Sequence, residues 1–321
     1  MTAIQGVSVS SVTRLSLLVV YGLCQIPCVL VPLFLGHLLL PAAHRYNRYV
    51  RSLLSPLSTG VYLLFFSIRL AVQFERVPKF NPKRARFLLM SHSSTLDFMV
   101  VTTAVWLVHD FIGGCVCIVK KELLSMPFIG WLQVAAGSVP VARSGDAEAA
   151  KRNLAIAEER VKEGYVLAGF PEGSRRRTPS CGRNQLLPFK KGIFHICNNV
   201  LTSSPAIQGV DFIPLVMVGG NSAWPSNYLL PIPESKVIVR VGEPVSSKPG
   251  ESVDDLTTRV RTHMQDEIDK TGALGKNKEY SVDSAFRKSR EINLVHEYGL
   301  EAFLMPLPMI LTACLLVGGV L

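Results

Sequence analysis

From Leu15 to Leu40 the chain runs for 26 residues without a Lys, Arg, Asp or Glu. A helix of that length can cross the ~30 Å hydrocarbon layer of a bilayer. Two more charge-free stretches follow: Ser52 to Ile68, shorter and interrupted by Pro56, and Phe303 to Leu321, 19 residues long. The first could open a cleavable signal peptide, but 26 residues is long for the apolar region of one. It also has no clear small-residue cleavage site before Arg45–Arg51, and it reads as an uncleaved anchor. Charged residues make up 18% of the chain, against about 25% in ordinary soluble domains, in keeping with membrane contact.

The flanking charges orient these segments. Arg14 alone precedes the first, whereas Arg45, Arg48 and Arg51 follow it. The second leads into Arg69, Arg76, Lys79, Lys83, Arg84 and Arg86, so both of its sides are basic. Cytoplasmic flanks carry the excess of Lys and Arg, so this segment should dip in and return rather than cross. Arg287, Lys288 and Arg290 place the entry to the last segment on the same side. The expected protein is integral to the membrane with its body cytoplasmic, at the endoplasmic reticulum if eukaryotic.

Net charge is +10, which suits nucleic acid, an anionic membrane surface or a phosphate-bearing substrate. Three membrane segments favour the last two, and no nucleic-acid motif is present. The seven cysteines are scattered, so no disulfide framework is expected. Cys115 and Cys117 would share one strand face, but no second ligand pair accompanies them and no metal is expected.

Between the membrane segments, short apolar runs alternate with helical patterns. Strands are expected at Phe87–Met90, Cys115–Val119, Ser138–Val141, Val166–Phe170, Phe212–Val218 and Val237–Val241. Helices are expected at Asp97–Val108 and Asp146–Glu163, the latter with Ala147, Ala150, Leu154, Ala157 and Val161 on one stripe and Gly164 past its end. Ser252 should cap another helix, with Val253, Leu256, Val260, Met264 and Ile268 on its apolar face. Such alternation implies an α/β sheet with helices on its faces.

Three groups of residues could carry chemistry. In His92-Ser-Ser-Thr-Leu-Asp97 the two ends would lie ~140° apart on one helix and could not meet. With His92 in the loop after its strand and Asp97 in the first turn of the next helix, the carboxylate can reach Nδ1 and leave Nε2 as a base. A histidine alone at a strand end is more often structural. Phe170-Pro-Glu-Gly-Ser-Arg175, followed by Arg176 and Arg177, breaks a strand, turns at Gly173 and presents guanidinium groups that can grip phosphate; a solvated basic loop is the bland alternative. Lys120-Lys-Glu-Leu123, Pro127, Gly130 and Val139-Pro-Val-Ala-Arg143 place cations just past strand ends.

In order and spacing these pieces resemble the lysophosphatidic acid acyltransferases, the 1-acylglycerol-3-phosphate O-acyltransferases. His92 and Asp97 match that family's His-x4-Asp element. Lys120, Glu122, Leu123, Pro127 and Gly130, ending at Arg143, match a second element, and Phe170 to Arg175 a third. Leu187-Pro-Phe-Lys-Lys-Gly192 and Ile213-Pro-Leu215 resemble the blocks beyond. Ser91 stands where the family usually has Asn, Ser174 where Thr is commoner, and the C-terminal hydrophobic tail is absent from its simplest members. The likeness covers roughly residues 80–245.

The resemblance implies a glycerolipid-acyltransferase-like mixed sheet flanked by helices, to which the charge-free stretches add N-terminal membrane helices and a C-terminal hydrophobic helix. The implied divisions are membrane-anchoring helices at 1–80, an acyltransferase domain at 81–248, a helix and linker at 249–302 and a transmembrane segment at 303–321. It implies His92, oriented by Asp97, as general base, with Lys120, Arg143, Glu172, Gly173, Ser174 and Arg175 binding the substrate. The implied partners are membrane lipids, lysophosphatidic acid and an acyl-CoA or acyl carrier protein as co-substrate, with no cofactor. Rival readings are acylation of another lysophospholipid, an anionic-lipid-binding adaptor and a serine hydrolase. The hydrolase lacks its nucleophile pattern, Gly220-Asn-Ser222 being the nearest approach.

Overall fold

The computed structural model describes residues 66–73, 81–97, 115–125, 137–141, 147–175, 185–225, 230–271 and 290–292, with Thr13, Ser16, Val100, Gln133 and Tyr228 as single positions. Its strands are β1 Arg69–Gln73, β2 Ala85–Met90, β3 Cys115–Lys120, β4 Val139–Val141, β5 Val166–Gly169, β6 Val210–Val218, β7 Lys236–Val241, β8 Val245–Ser246 and β9 Arg290–Ile292. Its helices are α1 Lys121–Leu124, α2 Ala147–Lys162, α3 Gly192–Ser203, α4 Gly220–Ala223 and α5 Val253–Lys270.

The strands form one mixed sheet in the order β4-β3-β5-β2-β6-β7-β1-β9, with β8 paired to β6. The first five run parallel. β7 is antiparallel to β6, and β1 is parallel to β7 and antiparallel to β9. Strands buried on both faces should read as unbroken apolar runs, and Phe87–Met90 of β2 does. Phe87 and Leu89 enter one core cluster and Leu88 and Met90 the other. Pro214 lies in buried β6 without an N–H to donate, between the pairings to β8 at Asp211–Phe212 and to β7 from Leu215.

Helices α2, α3 and α5 cover one face. On α2, Ala157 and Val161 are buried, and Gly164 takes the left-handed conformation at φ +88° that ends the helix. On α5, Ser252 Oγ accepts the N–H of Asp255 at 3.1 Å as an N-cap, and Leu256, Val260, Met264 and Ile268 are buried. Each expected strand and the 146–163 and 253–268 helices thus form within a residue or two of their expected bounds. Of the 97–108 helix, only Asp97 and Val100 are described, both helical.

The sheet also recruits chain from both sides of the 81–248 span. β1 precedes it and β9 follows it. Phe66 and Ile68 pack with Leu70 and Val72 in the second core cluster. The last residues of the Ser52–Ile68 stretch therefore belong to the core beside the sheet. The charge-free residues just before them, 52–65, number 14 and would measure ~21 Å if helical, short of the ~30 Å needed to span a bilayer. Among the described residues no helix is long and apolar enough to cross a membrane. Apart from Ser16, the Leu15–Leu40, 52–65 and Phe303–Leu321 segments lie outside the described residues.

Candidate active site

Parallel strands end on one edge of the sheet, and loops leaving neighbouring strands there meet. The loop after β2 is stitched to β6: Ser91 N–H donates to the Leu215 carbonyl at 3.0 Å, and Ser91 Oγ accepts the Met217 N–H at 2.8 Å. His92 comes next. Its Nδ1 lies 2.9 Å from Asp97 Oδ2, and Asp97 is fully buried at the start of the following helix. The same oxygen accepts the N–H of Ser94 at 2.8 Å and that of Ser93. Ser94 Oγ in turn accepts the N–H of Leu96 at 3.3 Å, so Ser94 and Asp97 cap the helix much as a capping box does. Because Asp97 can only accept from the ring, Nδ1 carries the proton and Nε2 keeps its lone pair. The imidazole stacks on Phe170 at 4.2 Å and is 18% exposed, held flat yet within reach of a ligand.

Phe170 opens the turn after β5. Gly173 sits at φ +69° and donates its N–H to the Phe170 carbonyl at 3.0 Å, a conformation that favours glycine. Glu172 is 2% exposed. Its Oε1 accepts the His92 N–H at 2.7 Å and its Oε2 the Leu187 N–H at 3.0 Å. Each oxygen thus accepts one of the protein's own amides. Gly173, Ser174 and Arg175 are exposed, and Arg175 Nη1 donates to Thr95 Oγ1 at 2.6 Å.

A third loop closes the site from β6. Gly219 has φ +92°, and a Cβ on Gly220 would lie 2.9 Å from Asp97 Oδ1 and 3.0 Å from Ser93 Oγ. Ser94 Oγ also donates to the Trp224 carbonyl at 3.2 Å. Gly220 drew notice in the sequence only as part of an incomplete hydrolase pattern; nothing in one sequence marks a glycine that another loop leans on.

Lys120 ends β3, two strands from β2, and is half-buried. Pro127, Gly130, Arg143, Arg176 and Arg177 lie outside the described residues. Burial in the core, with Glu251 adding to it, pushes the Cys197 thiol up to about 12, so it is a packing group and no nucleophile. Among the described residues no group of three His, Cys, Asp or Glu is placed to hold a metal.

Residues 69–218, just under half of the chain, match the Acyltransferase family. Within that class, the chain is 33% identical over 151 residues to a 1-acyl-sn-glycerol-3-phosphate acyltransferase of Cocos nucifera, covering 47% of this chain and 42% of the relative. It is 30% identical over 192 residues to the Saccharomyces cerevisiae enzyme of the same name, covering 59% and 57%. A lyso-ornithine lipid O-acyltransferase of Rhodobacter capsulatus is 41% identical over 75 residues, covering 23% and 25%. The chain spans about half the length of the first two relatives. The crystal structure of the 1-acyl-sn-glycerophosphate acyltransferase PlsC from Thermotoga maritima superposes with a TM-score of 0.56 at 20% identity, covering 83% of this chain and 99% of that one. The mixed sheet with flanking helices is the fold the two share.

Proposed function

We propose that this chain transfers a fatty acyl group from an acyl thioester to the sn-2 hydroxyl of 1-acyl-glycerol 3-phosphate, giving phosphatidic acid. The observation that carries the proposal is the His92–Asp97 pair at 2.9 Å, locked by backbone amides at the edge where the strands end. His92 Nε2 takes the hydroxyl proton as the oxygen bonds to the thioester carbonyl carbon. The tetrahedral oxyanion then collapses, the C–S bond breaks and the thiolate leaves, the imidazolium returning its proton to the sulfur. General-base assistance of this kind contributes ~10²–10⁴ in rate. Arg175 grips the acceptor phosphate, helped by Lys120 and Arg143, while Glu172 holds the histidine loop in place.

The donor is an acyl-CoA or acyl carrier protein, and no further cofactor takes part. The hydrophobic segments anchor the chain in the membrane with its sheet domain on the cytoplasmic face, where product and acyl chains stay out of water. The lyso-ornithine lipid relative supports a second reading, the same chemistry on another lysolipid. A competition assay on detergent-solubilised protein separates the two. Lysophosphatidic acid, glycerol 3-phosphate, lysophosphatidylcholine and lyso-ornithine lipid are offered together with one thioester. Preferred acylation of lysophosphatidic acid is expected, and preference for an acceptor without a phosphomonoester would overturn the assignment.

A further inference from the structure

The helix that follows the matched family segment reaches back to the histidine loop through a continuous chain of hydrogen bonds. On α5, Arg261 donates from Nη2 to the Leu186 carbonyl at 2.6 Å and from Nε to the Leu187 carbonyl at 3.1 Å. One turn on, Gln265 Oε1 accepts the Leu186 N–H at 2.9 Å. Segment 185–190 has no regular structure of its own, so its backbone groups need outside partners, and α5 supplies three of them. The next amide, Leu187 N–H, donates to Glu172 Oε2 at 3.0 Å, and the opposite oxygen of that buried carboxylate receives the His92 N–H at 2.7 Å. Lys190 N–H fastens the same segment to the Pro171 carbonyl at 2.7 Å.

A carboxylate accepting one amide on each oxygen is an aligning device. If Leu187 shifts, Glu172 must either follow it or abandon one bond, and the His92 backbone moves with it. We infer that Arg261 and Gln265 are positioning residues for His92, acting through Leu186–Leu187 and Glu172, and that α5 is a working part of the catalytic unit. The inference builds on the acyl-transfer role proposed for His92. Sequence separation conceals it, since Gln265 and His92 are 173 positions apart and share no motif.

α5 carries its own control. Arg259 pairs with Glu251 at 2.6 Å and donates to the Ser246 carbonyl, away from segment 185–190. The experiment compares Gln265→Leu, Gln265→Glu and Arg259→Gln in the full-length detergent-solubilised chain, with Glu172→Gln as a background. Gln265→Leu is expected to lower kcat about tenfold with both KM values within about twofold, and Gln265→Glu, which keeps an acceptor oxygen, to restore most of it. Arg259→Gln should lower the melting temperature at least as far while leaving kcat unchanged. In the Glu172→Gln background the Gln265→Leu cost should shrink below about twofold, because coupled residues do not add. A kcat that falls in step with melting temperature in both α5 variants, or a full additive loss in the double variant, would overturn the inference. Hydrogen exchange gives a readout independent of turnover: Gln265→Leu should speed exchange at residues 91–93 and 186–187, and Arg259→Gln should not. Faster exchange in a protein that acylates nothing would sink the proposed activity and keep the connection; unchanged exchange would sink the connection alone.

Discussion

Arg175 donates from Nη1 to Thr95 Oγ1 at 2.6 Å, so the arginine of one loop rests on the loop that joins His92 to Asp97. The threonine oxygen accepts this bond and keeps its own O–H to give. A phosphate held by Arg175 is thereby indexed to the base. Lysine cannot reproduce a planar guanidinium that makes two parallel bonds. Arg175→Lys should raise KM for lysophosphatidic acid about tenfold or more, with KM for the thioester within about twofold. Thr95→Val should do the same more weakly, and Thr95→Ser should not. Steady-state kinetics varying each substrate in turn would decide it, and equal effects on both KM values would remove Arg175 from the phosphate site.

The catalytic pair makes the sharpest demand. His92→Ala should cost at least ~10² in kcat while the melting temperature stays near that of the unmodified chain. Asp97→Asn should cost nearly as much, because an amide presents a donor where Nδ1–H needs an acceptor. Asp97 also caps its helix, so that variant should melt lower by ~1 kcal/mol of stability. A folded His92→Ala protein with near-normal single-turnover rate would end the mechanism.

How much of this could be read in the sequence depends on how local the cause was. The β2 run, the α2 stripe and the Ser252 cap were legible because each is set by neighbours within a few residues. The His92–Asp97 contact was legible too, since only a loop-then-helix path lets residues five apart meet. β1 was not: Arg69–Gln73 follows an apolar stretch and reads as its basic flank, and only the pairing with β7 makes it a strand. α3 was hidden differently. Ile193, Phe194, Ile196, Cys197 and Val200 are buried at helical spacing, yet they follow directly on a segment that drew attention as a motif. Glu172 lies in the turn its motif predicts, but its bonds to backbone amides of two distant loops leave no local mark in the sequence.

Acid stability should follow Glu267, buried at 1% exposure between Arg240 and Lys270, each 2.6 Å away. Burial pushes its carboxyl up, but the bonds from Lys270 and Arg240 together outweigh that and hold it below the usual glutamate value. A folded-state value below the unfolded one adds stability above the unfolded value, and that stability fades as pH falls through the folded one. The melting temperature should be level from pH 7 to about 5 and drop below about 4.5. Glu267→Gln should cost on the order of 3 kcal/mol at pH 7 and flatten that acid drop. Thermal melts across pH 3–7 would test this, and an unchanged acid limb in the variant would assign it to other carboxylates.

The last prediction concerns how the chain meets the membrane. With Phe66 and Ile68 in the core and β1 starting at Arg69, the chain leaving the second hydrophobic stretch is already on the side of the sheet domain. Arg45, Arg48 and Arg51 precede that stretch, and a basic flank favours the cytoplasm. Since the remaining 52–65 run is too short to span as a helix, both of its ends should face the same compartment. Arg14 is then the lone basic residue left on the far side of the first segment. In a background freed of native cysteines, Asn47→Cys and Phe80→Cys should both resist an impermeant thiol reagent in sealed cytoplasmic-side-in vesicles, and Ser11→Cys should react. Reaction at Asn47→Cys with protection at Phe80→Cys would mean that the second segment crosses, and the dip-and-return path would be wrong.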